Sequence, residues 1–159
     1  MAGARILIVE DEVVVATHLE ASVSKMGHQV VGIAASGEKA LALLEKTRPD
    51  LVLLDIKLKG DLDGIQVAQE VNRTYAIPIL FLSAYTDSKL IERAKPVRPF
   101  CYLTKPVDPR ELKVNIEIAL SGMGWASSPT GLDSKAGVLS QEELDYLREA
   151  FRSEETDRS

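Results

Sequence analysis

The sequence lacks several features that would mark a secreted, membrane-bound or nucleic-acid-binding protein. Its 159 residues include one cysteine, Cys101, which excludes an internal disulfide and favours a reducing compartment. No apolar run approaches the roughly 20 residues that a membrane-spanning helix needs. No signal peptide is recognisable before the first strand-like run, and the net charge of −5 argues against general nucleic-acid binding. We therefore expect a cytoplasmic protein that binds neither membranes nor nucleic acids.

Short apolar runs alternate with amphipathic helical patterns along the first 120 or so residues. The patterns predict strands at residues 5–9, 28–34, 51–54, 79–82 and 100–103. They predict helices at about residues 12–26, 37–46, 65–73, 87–95 and 109–120, with Ser36, Thr86 and Asp108 as N-caps. Five strands alternating with five helices indicate right-handed βαβ units, and hence an α/β fold with one parallel sheet covered on both faces.

The composition changes after residue 121, which divides the chain into three parts. Residues 1–121 form the predicted α/β domain, and residues 122–139, rich in Gly, Ser and Pro, form a predicted linker. Residues 140–159 predict a short amphipathic helix and an acidic tail, with Ser140 as the N-cap. Leu139, directly before the cap, and Leu144, Leu147 and Phe151 are the apolar residues that are expected to dock.

Polar side chains follow four of the five predicted strands. Because the carboxyl ends of parallel strands meet at one edge of the sheet, these side chains can converge in a crevice. They are Glu10, Asp11, Asp55, Ser83 and Lys105. Three carboxylates in one crevice repel each other unless a cation joins them, and oxygen ligands suit Mg²⁺ or Mn²⁺. With a hydroxyl and an ammonium opposite, the crevice predicts phosphoryl transfer onto Asp55.

Each of these residues also has a simpler interpretation. Glu10 and Asp11 could be acids that favour a helix N-terminus, Ser83 a turn hydroxyl and Lys105 a surface lysine. A flavodoxin-like cofactor binder would share the fold, but the acids after the first strand would repel a phosphate group. The joint occurrence of all five residues favours the functional interpretation.

Over about residues 4–121 the chain resembles the receiver domain of two-component response regulators. The matching pieces, in order, are Ile6-Leu-Ile-Val-Glu-Asp-Glu12, Leu51-Val-Leu-Leu-Asp-Ile-Lys-Leu58, Asp63-Gly64, Pro78-Ile-Leu-Phe-Leu-Ser-Ala84 and Tyr102-Leu-Thr-Lys-Pro106. The resemblance implies a flavodoxin-like (βα)5 fold with strand order 2-1-3-4-5, which is the order given for the chemotaxis member of this family.

The resemblance also implies a phosphoacceptor and a metal site. Asp55 would accept a phosphoryl group from a sensor histidine kinase or a histidine phosphotransfer protein. Glu10, Asp11, Asp55 and the backbone carbonyl of Lys57 would bind Mg²⁺. Lys57 and Tyr85, which lie two residues beyond Asp55 and Ser83, should set the lifetime of the phosphorylated form.

Further residues would respond to the phosphoryl group. The resemblance implies that Ser83 and Lys105 bind it, that Tyr102 changes rotamer and that the bond before Pro106 is cis. The protein would catalyse only its own Mg²⁺-dependent phosphorylation from a phosphodonor and its own dephosphorylation, so it is not expected to be an enzyme in the usual sense.

Three alternatives for the output stay open on the sequence. The chain could be a single-domain regulator that binds a downstream protein when phosphorylated, a fragment of a longer hybrid kinase or regulator, or a pseudo-receiver that only binds a partner. A homodimer could form through the fourth helix, fifth strand and fifth helix. The segment from Leu139 resembles the N-terminal peptide of the flagellar switch protein, which implies that it docks on this face, in its own chain or in a dimer mate. Helical periodicity places Val114 and Ile118 opposite the inward side of the fifth helix, so we expect them to be exposed unless the segment or a second copy covers them.

Overall fold

The structure is a computed structural model that describes residues 3–84 and 86–122. Tyr85, the predicted linker beyond Gly122 and the predicted tail lie outside the described residues. The predictions for the tail residues Leu139, Leu144, Leu147 and Phe151 therefore stay predictions.

Five strands alternate with five helices, as the sequence predicts. The strands are β1 (Arg5–Val9), β2 (Gln29–Ala34), β3 (Leu51–Asp55), β4 (Ile79–Ser83) and β5 (Cys101–Thr104). The helices are α1 (Val13–Lys25), α2 (Gly37–Thr47), α3 (Gly64–Thr74), α4 (Ser88–Ala94) and α5 (Pro109–Ser121), and a single 3₁₀ turn, Lys95–Val97, follows α4. Within the described ranges, no helix combines the length and the apolar character that crossing a membrane requires.

All strand pairs are parallel, and the sheet order β2-β1-β3-β4-β5 confirms the expected topology. The order reverses between β1 and β3, because the chain first winds outward to β2 and then returns past β1. In open α/β sheets such a reversal opens a crevice at the carboxyl ends of the strands. Glu10 and Asp55 lie at the carboxyl ends of the two strands that flank this reversal.

The central strand β3 is buried on both faces, which explains its continuous apolar run. Val52 and Leu54 belong to a core cluster with residues of α2 and α3. Leu51 and Leu53 belong to the opposite cluster, with residues of α1 and α5. Because successive side chains of a strand point to opposite faces, a strand covered on both faces needs apolar residues at every position. This burial fixes the strand that carries Asp55.

Two of the three predicted N-caps are present in the structure, and the third is not. The Ser36 hydroxyl accepts a hydrogen bond from the Lys39 amide, and the Asp108 carboxylate accepts one from the Arg110 amide. The prediction of Thr86 as the cap of α4 is wrong, because the helix starts at Ser88 and Asp87 holds the N-cap position. An N-cap must directly precede the first helical residue, so Thr86 lies one residue too early.

The apolar side chains on the outer side of α5 are less exposed than the sequence predicts. Val114 and Ile118 are half-buried rather than exposed. The buried side of α5 is wider than its apolar residues predict. Asn115 is also buried, and it lies three residues before Ile118, on the same side of the helix. Among the described residues, the exposed large apolar side chains are instead Val13, Val14 and Ile33, at 77%, 68% and 39% of full exposure.

The contrast between β3 and the sheet edge gives a test of the core. Replacing the fully buried Leu53 with alanine should lower the free energy of unfolding by about 3 kcal/mol, because a cavity would remain between the sheet and its helices. The matched variant Ile33→Ala, at the end of an edge strand, should lower it by less than about 1 kcal/mol. Urea unfolding curves with equal slopes for both variants would measure the difference. Equal losses would contradict this description of the core.

Candidate functional site

Three carboxylates converge where β1 and β3 end. Glu10 and Asp11 directly follow β1, and Asp55 is the last residue of β3. Each offers an oxygen atom, and these oxygen atoms all lie within 4.8 Å of one another. Glu10 and Asp55 are almost completely buried, at 1% and 3% exposure. The structure therefore brings together the three acids that the sequence places at one edge of the sheet.

Lys105 is the counter-charge of this acid cluster. Its Nζ atom lies 3.0 Å from Glu10 Oε1, 3.0 Å from Asp55 Oδ2 and 3.6 Å from an oxygen of the exposed Glu12. The position follows from the sheet, because the Lys105 amide donates to the Ser83 carbonyl and so continues the pairing of β5 with β4. Burial lowers the pKa of Lys105, but the hydrogen bonds to Glu10 and Asp55 outweigh burial and raise it above its usual value. The lysine is therefore a fixed positive charge.

One lysine does not compensate three acids. Burial raises the pKa of the Glu10 carboxyl to about 7, against the lowering effect of its hydrogen bonds with the Glu12 amide and with Lys105. The nearby Asp55 charge raises this pKa further. Ionisation of Glu10 at neutral pH is therefore opposed by burial, and additional positive charge in the cluster would favour it.

The backbone around Asp55 holds its carboxylate in place. The Lys57 amide donates a hydrogen bond to Asp55 Oδ1 at 2.9 Å, while Oδ2 faces Lys105. Gly64, at the start of α3, packs directly against this backbone. A Cβ atom at residue 64 would lie 2.2 Å from the Asp55 carbonyl oxygen and 2.8 Å from the Ile56 Cα. Only glycine fits there, which gives the Asp63-Gly64 pair a physical reason.

The acid cluster opens into a cavity of about 290 Å³. Lys57 and Lys59 follow Asp55 along one wall, and the Lys59 amide donates to Asp11 Oδ2 at 3.2 Å. Residues of the loop between β4 and α4 form another part of the wall. The residues that line the cavity are Asp11, Glu12, Asp55, Lys57, Lys59, Ala84, Thr86, Asp87 and Lys105.

The predicted switch residues lie close to this cavity but not at its surface. Ser83 ends β4, is buried and pairs with Thr104 of β5. Tyr102 is half-buried and stacks on Phe81, with ring centroids 5.7 Å apart and planes inclined by 19°. The peptide bond between Lys105 and Pro106 is cis, as the resemblance implies.

The acid cluster fits a divalent metal ion. Its donors are carboxylate oxygens, which are the ligands that Mg²⁺ prefers, and no histidine or cysteine belongs to the cluster. An added cation would also stabilise the ionised form of Glu10, whose pKa is raised by burial and, to a smaller extent, by the Asp55 charge. The Lys57 carbonyl, two residues beyond Asp55, stays a predicted fourth ligand.

Two residues of the site were not identified from the sequence as chemically important. Asp87 is buried at 8% exposure and lines the cavity, whereas Ser83 and Tyr85 were the residues of this region that were expected to act at the site. Gly64 was recognised as part of a motif, but its steric role appears only in three dimensions. The Asp87-Ser88 pair resembles a helix start, so capping preferences could have pointed to Asp87.

Comparisons with known proteins agree with this geometry. The chain matches the family model of the response regulator receiver domain over residues 6–117. It is 34% identical to the transcriptional regulatory protein PdtaR of Mycobacterium tuberculosis over 137 residues, which are 86% of this chain and 65% of PdtaR. It is 35% identical to the phyllosphere-induced regulator PhyR of Methylorubrum extorquens over 117 residues, which are 72% of this chain and 43% of PhyR. The chain thus spans less than two thirds of the length of either relative.

A solved structure shares the same fold. The signal receiver domain of a modulated diguanylate cyclase from Desulfovibrio desulfuricans G20 superimposes with a TM-score of 0.72 at 37% identity. The match covers 75% of this chain and 94% of that domain.

The contact between Gly64 and the Asp55 backbone can be tested by adding one carbon atom. Gly64→Ala should lower the free energy of unfolding by about 2 kcal/mol or more, because backbone atoms cannot yield as a side chain can. It should also weaken Mg²⁺ binding, measured by titration calorimetry, because Asp55 would shift. In the matched variant Gly32→Ala the nearest atoms are side-chain carbons of Leu43 and Leu7, the closest at 3.1 Å, so both quantities should change less. If both variants behave alike, Gly64 does not position Asp55.

Proposed function

Because the chain belongs to the response regulator receiver family, we propose that it accepts a phosphoryl group on Asp55 from a sensor histidine kinase or a histidine phosphotransfer protein. The observation that carries the proposal is the surroundings of Asp55. Its carboxylate is buried at the floor of an open cavity, between two further acids and the ammonium group of Lys105. This arrangement suits a carboxylate nucleophile that must hold added negative charge.

The chemistry would be a direct transfer. A carboxylate oxygen of Asp55 forms a bond to phosphorus as the bond from phosphorus to the donor's imidazole nitrogen breaks, and the product is an acyl phosphate. Lys105 is close enough to Asp55 to neutralise charge on the group in flight. The Lys57 amide holds the second oxygen of Asp55 and so orients the carboxylate.

The residues that would hold the metal ion are Glu10, Asp11, Asp55 and the carbonyl of Lys57. Mg²⁺, or Mn²⁺ in its place, would supply positive charge that neutralises the phosphoryl oxygens and the acid cluster together. Lys105 then balances the remaining charge from the opposite side. Both positive charges are needed because three carboxylates and a phosphoryl group meet in one cavity.

We propose that the protein turns over no external substrate and acts by changing its binding surfaces in the cytoplasm. Lys57 lies at the cavity wall, so it would hinder the approach of water to the acyl phosphate and prolong its lifetime. Docking of the tail or of a second copy onto α4, β5 and α5 stays part of the proposal. The half-buried state of Val114 and Ile118 leaves less apolar surface there than the sequence suggested.

The protein phosphodonor would dock beside the cavity on the start of α1. Val13 and Val14 follow Glu12 directly and are the most exposed large apolar residues of the described chain. Exposed apolar side chains at this position have no role in the core, and they adjoin the wall formed by Asp11 and Glu12. A partner that presents its phosphohistidine to Asp55 must pass over them.

The phosphoacceptor is tested with a small donor such as acetyl phosphate and Mg²⁺. Intact mass should show one added phosphoryl group that hydroxylamine removes, and Asp55→Asn should gain none. Asp61→Asn, an exposed acid in the loop that follows β3, is the matched control and should label like the wild type. Labelling of Asp55→Asn equal to that of the wild type would show that another residue is the phosphoacceptor. A wild type that gains no mass would favour the pseudo-receiver alternative.

The docking surface is tested by making it polar without changing its shape. The double change Val13→Thr and Val14→Thr should leave labelling by acetyl phosphate unchanged. It should slow transfer from a phosphorylated histidine phosphotransfer protein that labels the wild type by about tenfold or more, as loss of an apolar contact centre does. Ala21→Ser, on the exposed side of the same helix, should change neither rate. Equal transfer rates for all three proteins would exclude this surface.

A further inference from the structure

Asp87 is an acid of the cavity that the proposed chemistry does not use. It lines the same cavity as Asp11 and Asp55, lies between β4 and α4 in the chain, and has only 8% of its surface exposed. Its position at the N-cap of α4 would normally direct the side chain to the amides of the first helical turn. The carboxylate makes no such bond.

The Asp87 carboxylate instead turns back toward the strand. Its Oδ2 atom accepts a hydrogen bond of 2.9 Å from the amide of Ala84, and the Asp87 amide donates one of 2.9 Å to the Ala84 carbonyl. The two residues therefore close the loop with a reciprocal pair of bonds. Ala84 directly follows Ser83, so this pair holds the end of β4 at the cavity wall.

The same residue is also tied to α4. The Asp87 carbonyl accepts the hydrogen bond of the Ile91 amide at 3.0 Å, which is the first bond of the helix. A movement of Asp87 would therefore disturb both the Ala84 amide in the cavity wall and the first turn of α4. No other acid of the cavity is part of a helix cap of α4.

The charge of Asp87 makes this arrangement sensitive to the state of the cavity. Glu10, Asp55 and Glu12 each face Lys105, whereas Asp87 has no ion pair among the described residues. A phosphoryl group carries a charge of about −1.5 to −2 near neutral pH. Because this group replaces the single negative charge on Asp55, phosphorylation would add negative charge to the cavity of about 290 Å³. The added charge would repel the Asp87 carboxylate, which lines the same cavity.

We infer that Asp87 is a positioning residue that holds the Ala84 amide while Asp55 is unmodified and releases it when Asp55 is phosphorylated. The inference rests on the proposed function, because it needs a phosphoryl group on Asp55. Release frees an N–H donor at the cavity wall, next to Ser83, where the anionic group needs hydrogen bonds. At the same time it loosens the first turn of α4, so that charge in the cavity changes the structure of a helix at the surface.

The experiment measures hydrogen exchange of residues 86–94 in the full chain, with and without acetyl phosphate and Mg²⁺, while intact mass reports phosphorylation. In the wild type, phosphorylation should speed exchange in this segment by about tenfold, the factor expected when one charged hydrogen bond is lost. Asp87→Asn keeps an acceptor for the Ala84 amide but removes the charge. Its exchange should stay slow in both states.

Two further variants separate the release of the Ala84 amide by Asp87 from a general capping role of Asp87. Asp87→Ala removes the acceptor, so exchange should be fast in both states and phosphorylation should add little. Asp108→Asn, at the N-cap of α5, is the matched control, because its carboxylate accepts from Arg110 and lies outside the cavity lining. It should respond to phosphorylation as the wild type does.

The outcomes that would overturn the inference differ from those that would overturn the proposed function. A wild type that gains the phosphoryl mass without faster exchange would exclude the release of Asp87. An Asp87→Asn variant that responds like the wild type would show that the charge of Asp87 is not the trigger. Absence of any mass gain would overturn the proposed function, and this inference with it.

Discussion

The structure depends on placing like charges together in a buried site and balancing them with one lysine. Glu10 and Asp55 are buried at the ends of adjacent parallel strands, and each lies 3.0 Å from Lys105 Nζ. Removing two acids from water is unfavourable unless positive charge and hydrogen bonds accompany them. The Lys57 and Glu12 amides supply part of this compensation, and a divalent ion would supply the rest.

The sheet tolerates such a site because its strands are secured elsewhere. β3 is fully buried from Leu51 to Asp55 and is paired on both sides, by β1 and β4. Its apolar residues contribute to both cores, so the position of the strand does not depend on the acid at its end. Gly64 adds a steric limit on the other side, because any larger residue would displace the Asp55 backbone. The Asp55 backbone is therefore held by packing, while the charge of its carboxylate is balanced by Lys105.

The sequence predicts the sheet, its order through the resemblance, and the residues that meet at its edge, because strand ends are marked by a change from apolar to polar residues. It does not predict contacts whose geometry depends on the positions of several helices and strands together. Thr86 and Asp87 are both good capping residues, and only the first residue of α4 decides between them. The exposure of Val13 and Val14, and the half-burial of Val114 and Ile118, depend on how far each helix is rotated against the sheet. Hydrophobic periodicity fixes that rotation only roughly.

The raised pKa of Glu10 has a direct consequence for how stability and function are related. The folded state holds the Glu10 proton more tightly than an exposed glutamate, so the stabilising effect of that proton is present below pH 4.5 and is lost as the pH rises toward about 7. At neutral pH the ionised Glu10 therefore makes an unfavourable contribution to the free energy of folding. A bound cation would offset this contribution, because it interacts with the ionised acids gathered in the folded state and not with those of the unfolded chain. The same burial that makes the ionised acids unfavourable in the fold would also strengthen their attraction for a divalent ion.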